Sequence, residues 1–443
     1  MILATLAFGF LLGHNSPLQT SVQEPEVGTR LSRSLALLRS GAPIHILFYG
    51  QSITRQDWTR YLIDDLKSRF PKANIWSENL AIGGFASDLL KKTAEHDLYP
   101  AYADLVIFHD YGGEPDYEGI ILKLRRTTTS EVILQSDHVD WMPKNDGSDS
   151  AETVHRYEWH NRHATWLRSL ADRCGYDFVD IRGRWFQRLT QESRVPREAL
   201  IDGIHLNELG NRWMAQFIST RLPTESASIK LPRLLTLVSE IPLTPRANQR
   251  SVRIAFSGNR ISLIANGMPI DVEIKIDGKR PSQISGLYSI SRPSDGPMSG
   301  IPAITLVTAD RPLVAEEWSA TVLDNVSLTA PFRFKIQGSK TGPDGDGVSD
   351  QPFRSQSGRV IIDPANWFLK SALQTYGAKT GQGSVVTWKV KGLFVDSLKT
   401  NVKGKYLLAQ GLTNGPHILE LHGTQRQGIE GLEINRPPVT ELH

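Results

Sequence analysis

The sequence predicts two architectures joined end to end: an α/β domain with a doubly wound parallel sheet over residues 29–222, and a β-sandwich over residues 245–443. Two observations carry this. Between residues 44 and 220, short apolar runs alternate with amphipathic segments of helical period, as in βαβ units whose strands are buried on both faces. After residue 245 the runs alternate apolar and polar residues and are broken by Asn-Gly and Asp-Gly pairs, which signal hairpins, and no long amphipathic helix appears.

Taken in order, the chain opens on "MILATLAFGFLLGHNSP", too short an apolar stretch to span a bilayer and similar to the core of a secretory signal. Residues 1–28 are therefore read as a signal segment and linker, which implies a secreted or periplasmic protein, with the cytoplasm as the alternative. "IHILFYG" (44–50) has the continuous apolar character of a buried strand. The segment 54–70 carries Trp58, Tyr61, Leu62 and Leu66 at helical spacing, with Pro71 just past its end. Strands follow at 74–81, 104–109, 131–136 and 176–181; helices are expected at 87–96, 116–128, 153–173 and 206–220. Residues 223–244 read as a linker, and strands recur beyond it in "VRIAFSGNRISLIANG", "DVEIKIDGK", "PFRFKIQGS", "SVVTWKVKG" and "HILELHG".

A net charge of +3 over 443 residues, with no basic or aromatic stripe, implies no nucleic-acid partner. No later stretch is apolar enough for a membrane helix, and nothing in the sequence sets the oligomeric state. The single cysteine, Cys174, allows no intrachain disulfide and reads as a small buried residue.

The chemistry starts at "FYGQSIT" (48–54), where a buried strand stops on Ser52. Parallel sheets bind ligands at the carboxyl ends of their strands. Taken alone, Ser52 or Thr54 could equally cap the next helix, with Asp57 completing a capping box after Thr54. A serine hydroxyl becomes a nucleophile only beside a base, and the base needs a group to hold its tautomer. "LIDGIHLNELG" (200–210) offers both, His205 and Asp202, around a glycine that eases a tight bend.

"GQS" (50–52), "NLAIGG" (79–84) and "DGIH" (202–205) together resemble the blocks of the SGNH, or GDSL-like, hydrolase superfamily, over residues 29–222. Gln51 stands where that family has Asp. The resemblance implies a flavodoxin-like sheet and a serine ester hydrolase: Ser52 as nucleophile, His205 as general base, Asp202 orienting it, and the amides of Ser52 and Gly84 in the oxyanion hole. The family's Gly-x-Asn-Asp block has no counterpart; the chain reads "DYGGEP" (110–115), so an amide of Gly112 or Gly113 takes the asparagine's place or the hole has two donors. Gln51, Asn79, His109, Asp110, Asp137 and His138 are candidate substrate-binding residues, with loop histidines and solvated carboxylates as the plainer reading. No metal or organic cofactor is required.

"FSGNRISLI", "VEIKIDGK" and "GLTNGPHILEL" resemble jelly-roll modules found beside carbohydrate esterases. This implies an O-deacetylase acting on small-molecule or polysaccharide esters, with the module presenting sugar or framing the cleft. Trp318, Trp367 and Trp388 are candidate stacking platforms, or core. His160 and His163 read as a helix face rather than a zinc pair, and Asp344, Asp346 and Asp350 as a hairpin tip rather than a calcium loop. The alternative function is a non-catalytic carbohydrate-binding protein with a decayed hydrolase fold; a nucleotide binder is disfavoured because no P-loop or GxGxxG is present.

Overall fold

In a computed structural model, residues 21–144, 148–225, 237–243, 251–294, 300–377 and 381–438 are described. Five strands, β1 (Pro43–Gly50), β2 (Asn74–Asn79), β3 (Leu105–His109), β4 (Glu131–Gln135) and β5 (Asp177–Val179), form one sheet. All its pairs are parallel and its order is β2-β1-β3-β4-β5. Alternate residues of β1 enter different cores: Ile44, Ile46 and Phe48 pack on one face, Leu47 and Tyr49 on the other. That two-sided burial is why the strand reads as an unbroken apolar run.

The first face is covered by α1 (Ser32–Ser40), α2 (Trp58–Arg69), α6 (Ile181–Gln191) and α7 (Glu208–Ser219). The second is covered by α3 (Ser87–Asp97), α4 (Glu114–Thr127) and α5 (Ala151–Cys174). The connections leave β1 to opposite sides, β2 on one flank and β3 on the other, so the switch point of this flavodoxin-like order lies at the end of β1. Ser52 follows there directly.

Two expectations need correction. The expected helix from residue 54 is a short 3-10 turn, Ser52–Arg55, followed by α2 from Trp58. Residues 21–28, expected as linker, are held to the α/β domain: the Glu24 carboxylate accepts from Arg184 Nε at 2.6 Å, Arg221 Nη1 at 3.0 Å and the Asp180 amide at 2.9 Å. Arg221 in turn pairs with buried Asp177 at 2.6 Å. The signal-like residues 1–20 lie outside the described residues. Cys174 is buried, which pushes its thiol up to about 11.

The C-terminal region is antiparallel. Its strands are β6 (Val238–Pro242), β7 (Ser251–Ala265), β8 (Ile270–Ile276), β9 (Tyr288–Ile290), β10 (Glu317–Val322), β11 (Arg333–Gly338), β12 (Gly342–Val348), β13 (Phe353–Arg354), β14 (Ile361–Ile362), β15 (Val385–Gly392), β16 (Ser397–Thr400), β17 (Gly404–Gln425) and β18 (Ile429–Asn435). One sheet runs β16-β8-β17-β7-β18-β6, another β12-β11-β10-β15-β9, and each has its own apolar core. β6 lies inside the stretch expected as linker and pairs with β18, whose Leu432 faces Ile241. Trp318 and Trp388 are buried and Trp367 packs on Phe332, so the three tryptophans serve the core. Asp344 is buried and accepts from the Ser357 amide and hydroxyl, at 2.8 and 2.6 Å.

This region is fastened to the α/β domain. Arg292 clasps buried Asp97 at 2.9 and 2.7 Å, and burial nonetheless pushes the Asp97 carboxyl up to about 6. The helix α8 (Leu369–Tyr376) and the residue before it insert Ala372 and Phe368 into the second α/β core, with Phe368 edge-on to Phe85 at 4.7 Å.

Candidate active site

β1 approaches β3 so closely at its end that only glycine fits: a Cβ on Gly50 would lie 1.8 Å from the His109 carbonyl oxygen. The chain then turns through Gln51 into the Ser52–Arg55 turn. Asn79 holds that turn, donating to the Thr54 carbonyl at 2.6 Å and accepting from the Ala81 amide at 3.1 Å. Its amide is thus engaged by backbone instead of facing the Ser52 cavity. The capping reading of Ser52 fails: its side chain caps no helix and makes no hydrogen bond among the described residues.

The loop before α7 is shaped by Asp202. One carboxylate oxygen accepts from the Ile204 and His205 amides at 3.1 and 2.8 Å, while the other meets His205 Nδ1 at 2.8 Å. Gly203 supplies the φ of +88° that this tight turn needs. The His205 amide first, then its ring and the Ile204 amide, pull the exposed Asp202 carboxyl down to about 2. His205 Nε2 has no protein partner among the described residues. Gln56 ties this loop to the serine turn, donating to the Leu206 carbonyl at 2.9 Å and accepting from its amide at 3.0 Å.

Ser52 and His205 line one cavity of about 310 Å³, together with Gln51, Asp137, His138 and Tyr111. No hydrogen bond joins Ser52 to His205 in this structure. Asp137 sits between two imidazoles, His109 Nε2 at 2.7 Å and His160 Nδ1 at 3.2 Å. Burial opposes its ionisation, but the contacts with His109 and His160 outweigh it and hold the carboxyl well below its usual range. Burial pushes the His138 ring down to about 4, so it is neutral at ordinary pH.

The remaining expected residues fall elsewhere. His109 and Asp110 are buried behind the cavity wall, where Asp110 accepts from Ser87 Oγ at 2.6 Å and burial pushes it up to about 7. Gly113 is the N-cap of α4 and does not line the cavity, and Gly112 packs against Ser87. Gly84 adopts a left-handed φ of +77°, and the adjoining Gly83 would place a Cβ 3.8 Å from Ser52 Cβ. The Gly83–Gly84 peptide therefore lies beside the serine, although Gly84 does not line the cavity.

Sequence reasoning missed Gln56, and also a wall built from helix α5. Arg156, ion-paired with Asp140, and His160, stacked on Tyr111 at 5.5 Å, face the serine's cavity. His163, read with His160 as one exposed face, is instead buried against Trp159 and Trp166 and meets Glu114 at 3.2 Å. A separate cleft of about 620 Å³ is lined by residues of both parts of the chain, among them Arg55, Asp97 and Arg292. Among the described residues, no group of three histidine, cysteine or acidic side chains is arranged to hold a metal ion.

The fold and site define a two-part chain: a parallel α/β sheet carrying a serine turn and an Asp-His loop at its carboxyl edge, followed by antiparallel sheets. No protein-family model matches it, and no curated protein does. Among solved structures, an acetylxylan esterase from Geobacillus stearothermophilus is similar at 17% identity, over 41% of this chain and 95% of that one, with a TM-score of 0.36. A two-domain esterase active on acetylated mannans, co-crystallised with mannopentaose, is similar at 14% identity over 94% of this chain and 97% of that one, with a TM-score of 0.37.

Proposed function

We propose that this protein is a serine ester hydrolase of the SGNH type, removing O-acyl groups from carbohydrate. The observation that carries the reading is the 2.8 Å pair between Asp202 and His205 Nδ1, which leaves Nε2 free in the cavity that holds an otherwise unengaged Ser52. Asp202 fixes the tautomer in which Nε2 is the base. Ser52 Oγ attacks the ester carbonyl while His205 Nε2 takes its proton, and the amides of Ser52 and Gly84 receive the oxyanion. Collapse breaks the bond to the alcohol, which leaves with the proton from His205. Water, activated by the same ring, then attacks the acyl-serine and releases the acid.

The alcohol side of the reading rests on the cavity wall. Tyr111, Asp140, Arg156 and His160 offer hydrogen bonds in several directions, whereas Ile53 and Ile204 are its aliphatic residues. Most of the exposed lining is nonetheless apolar, so these groups would orient an alcohol at a few points only, and 310 Å³ suits a short acyl group such as acetyl. Ser52→Ala should abolish p-nitrophenyl acetate turnover, and a fluorophosphonate should label the native protein but not Ser52→Ala. A native protein that turns over p-nitrophenyl acetate no faster than buffer and takes no fluorophosphonate label would favour the second reading, a carbohydrate-binding protein without catalysis.

A further inference from the structure

We propose that Tyr376, at the end of α8 in the C-terminal region, is a positioning residue for this hydrolysis, setting the Gly83–Gly84 peptide that serves the oxyanion. The inference rests on the Ser52 reading above. Tyr376 Oη donates to the Gly83 carbonyl at 2.7 Å. The Gly83 C=O and the Gly84 N–H belong to one planar peptide unit and point in opposite directions. Fixing the carbonyl therefore fixes the amide, and a hydrogen bond accepted at the oxygen polarises the unit and strengthens the N–H as a donor.

A Gly-Gly peptide has the greatest need of such an anchor, because neither residue resists rotation. The hydroxyl occupies space that only glycine leaves open: a Cβ on Gly84 would lie 2.1 Å from Tyr376 Oη. The phenol is itself held in place. α8 is seated by Phe368 and Ala372 in the α/β core, and Phe368 packs on Phe85, the residue after Gly84. Burial raises the phenol's pKa, with Arg55 opposing, so the hydroxyl stays protonated and remains a donor. The C-terminal region thus reaches the peptide beside Ser52 through one hydroxyl.

The test is Tyr376→Phe, which removes one oxygen from a side chain 38% exposed. With p-nitrophenyl acetate, kcat should fall about tenfold, less than the loss of an entire oxyanion donor, with KM within twofold and the melting temperature unchanged. Inhibition by a boronic acid, which forms a tetrahedral anion on the serine, should weaken by the same factor, and Tyr376→Leu should lose no more than Tyr376→Phe. Wild-type kcat in Tyr376→Phe, or a loss shared with a raised KM and a lower melting temperature, would overturn the proposal. Ser52→Ala in the same assay separates the two levels: turnover surviving there removes the underlying reading, whereas an inactive Ser52→Ala beside an unimpaired Tyr376→Phe removes only the role of the tyrosine.

Discussion

Gln56 is one side chain joining the serine turn to the Asp202–His205 loop, and its replacement by methionine removes both hydrogen bonds to Leu206 while keeping the length. The two losses are unequal. The Leu206 carbonyl keeps Asn211 Nδ2 at 3.1 Å, whereas the amide of this buried residue has no other acceptor among the described residues. One orphaned buried N–H costs about 1–3 kcal/mol. For a domain of this size that lowers the melting temperature by roughly 2–4 °C per kcal/mol. The rate should suffer more, because a base displaced by about 1 Å costs on the order of 10²-fold; kcat on p-nitrophenyl acetate should drop about 10- to 100-fold. Gln56→Glu is the control: it still accepts from the amide but cannot donate to the carbonyl. Its melting temperature should lie near wild type and its kcat between the two. A Gln56→Met protein that melts lower yet keeps kcat within twofold would refute the reasoning, since the tie would then serve stability and not the placement of His205.

Two further predictions concern pH and substrate. His96 is buried and its Nε2 accepts from the Val307 amide at 3.1 Å; burial, aided by Arg292, pushes it down from 6.5 to about 4. Its contribution to stability is fully present above pH 6.5 and is lost as pH falls toward 4, because the unfolded chain takes up a proton that the folded one refuses. The shift corresponds to roughly 3 kcal/mol, so His96→Gln should flatten the denaturation midpoint between those pH values, and an unchanged slope would acquit this residue. If the His160 wall meets the sugar, as the proposed function has it, His160→Ala should lower kcat/KM for an acetylated oligosaccharide about tenfold or more while leaving p-nitrophenyl acetate within about threefold; equal losses on both substrates would count against the sugar-facing role.

The parallel sheet was legible because its strands are saturated with apolar residues on both faces, so Leu47 and Tyr49 announce the second core as plainly as Ile46 and Phe48 announce the first. Helix α6 escaped notice for a local reason. Its start is set by Asp180, whose side chain accepts from the Gly183 amide at 3.1 Å, and "YDFVDI" reads through that cap as one strand. In the antiparallel region the alternation of single strands was visible. Their division between two cores was not, because residues of one strand period look the same whichever sheet they join.

The site divides along the same physical line. Asp202 and His205 are three residues apart, so one turn brings them together and a short motif suffices to find them. Ser52 was legible because a buried strand stops just before it, at the edge where parallel sheets bind ligands. A position at the end of a strand, however, does not say which way the side chain leaves it. His109 and Asp137 end neighbouring strands, yet His109 turns into the interior and Asp137 lies between it and His160 at the cavity wall. Only the turn after each strand decides this, and it leaves no periodic trace in the sequence. The same holds for Tyr376, which ends a helix of about two turns in a stretch that otherwise reads as strand. Its reach to Gly83 depends on how α8 docks against Phe85, a contact between residues almost three hundred positions apart that no local pattern encodes.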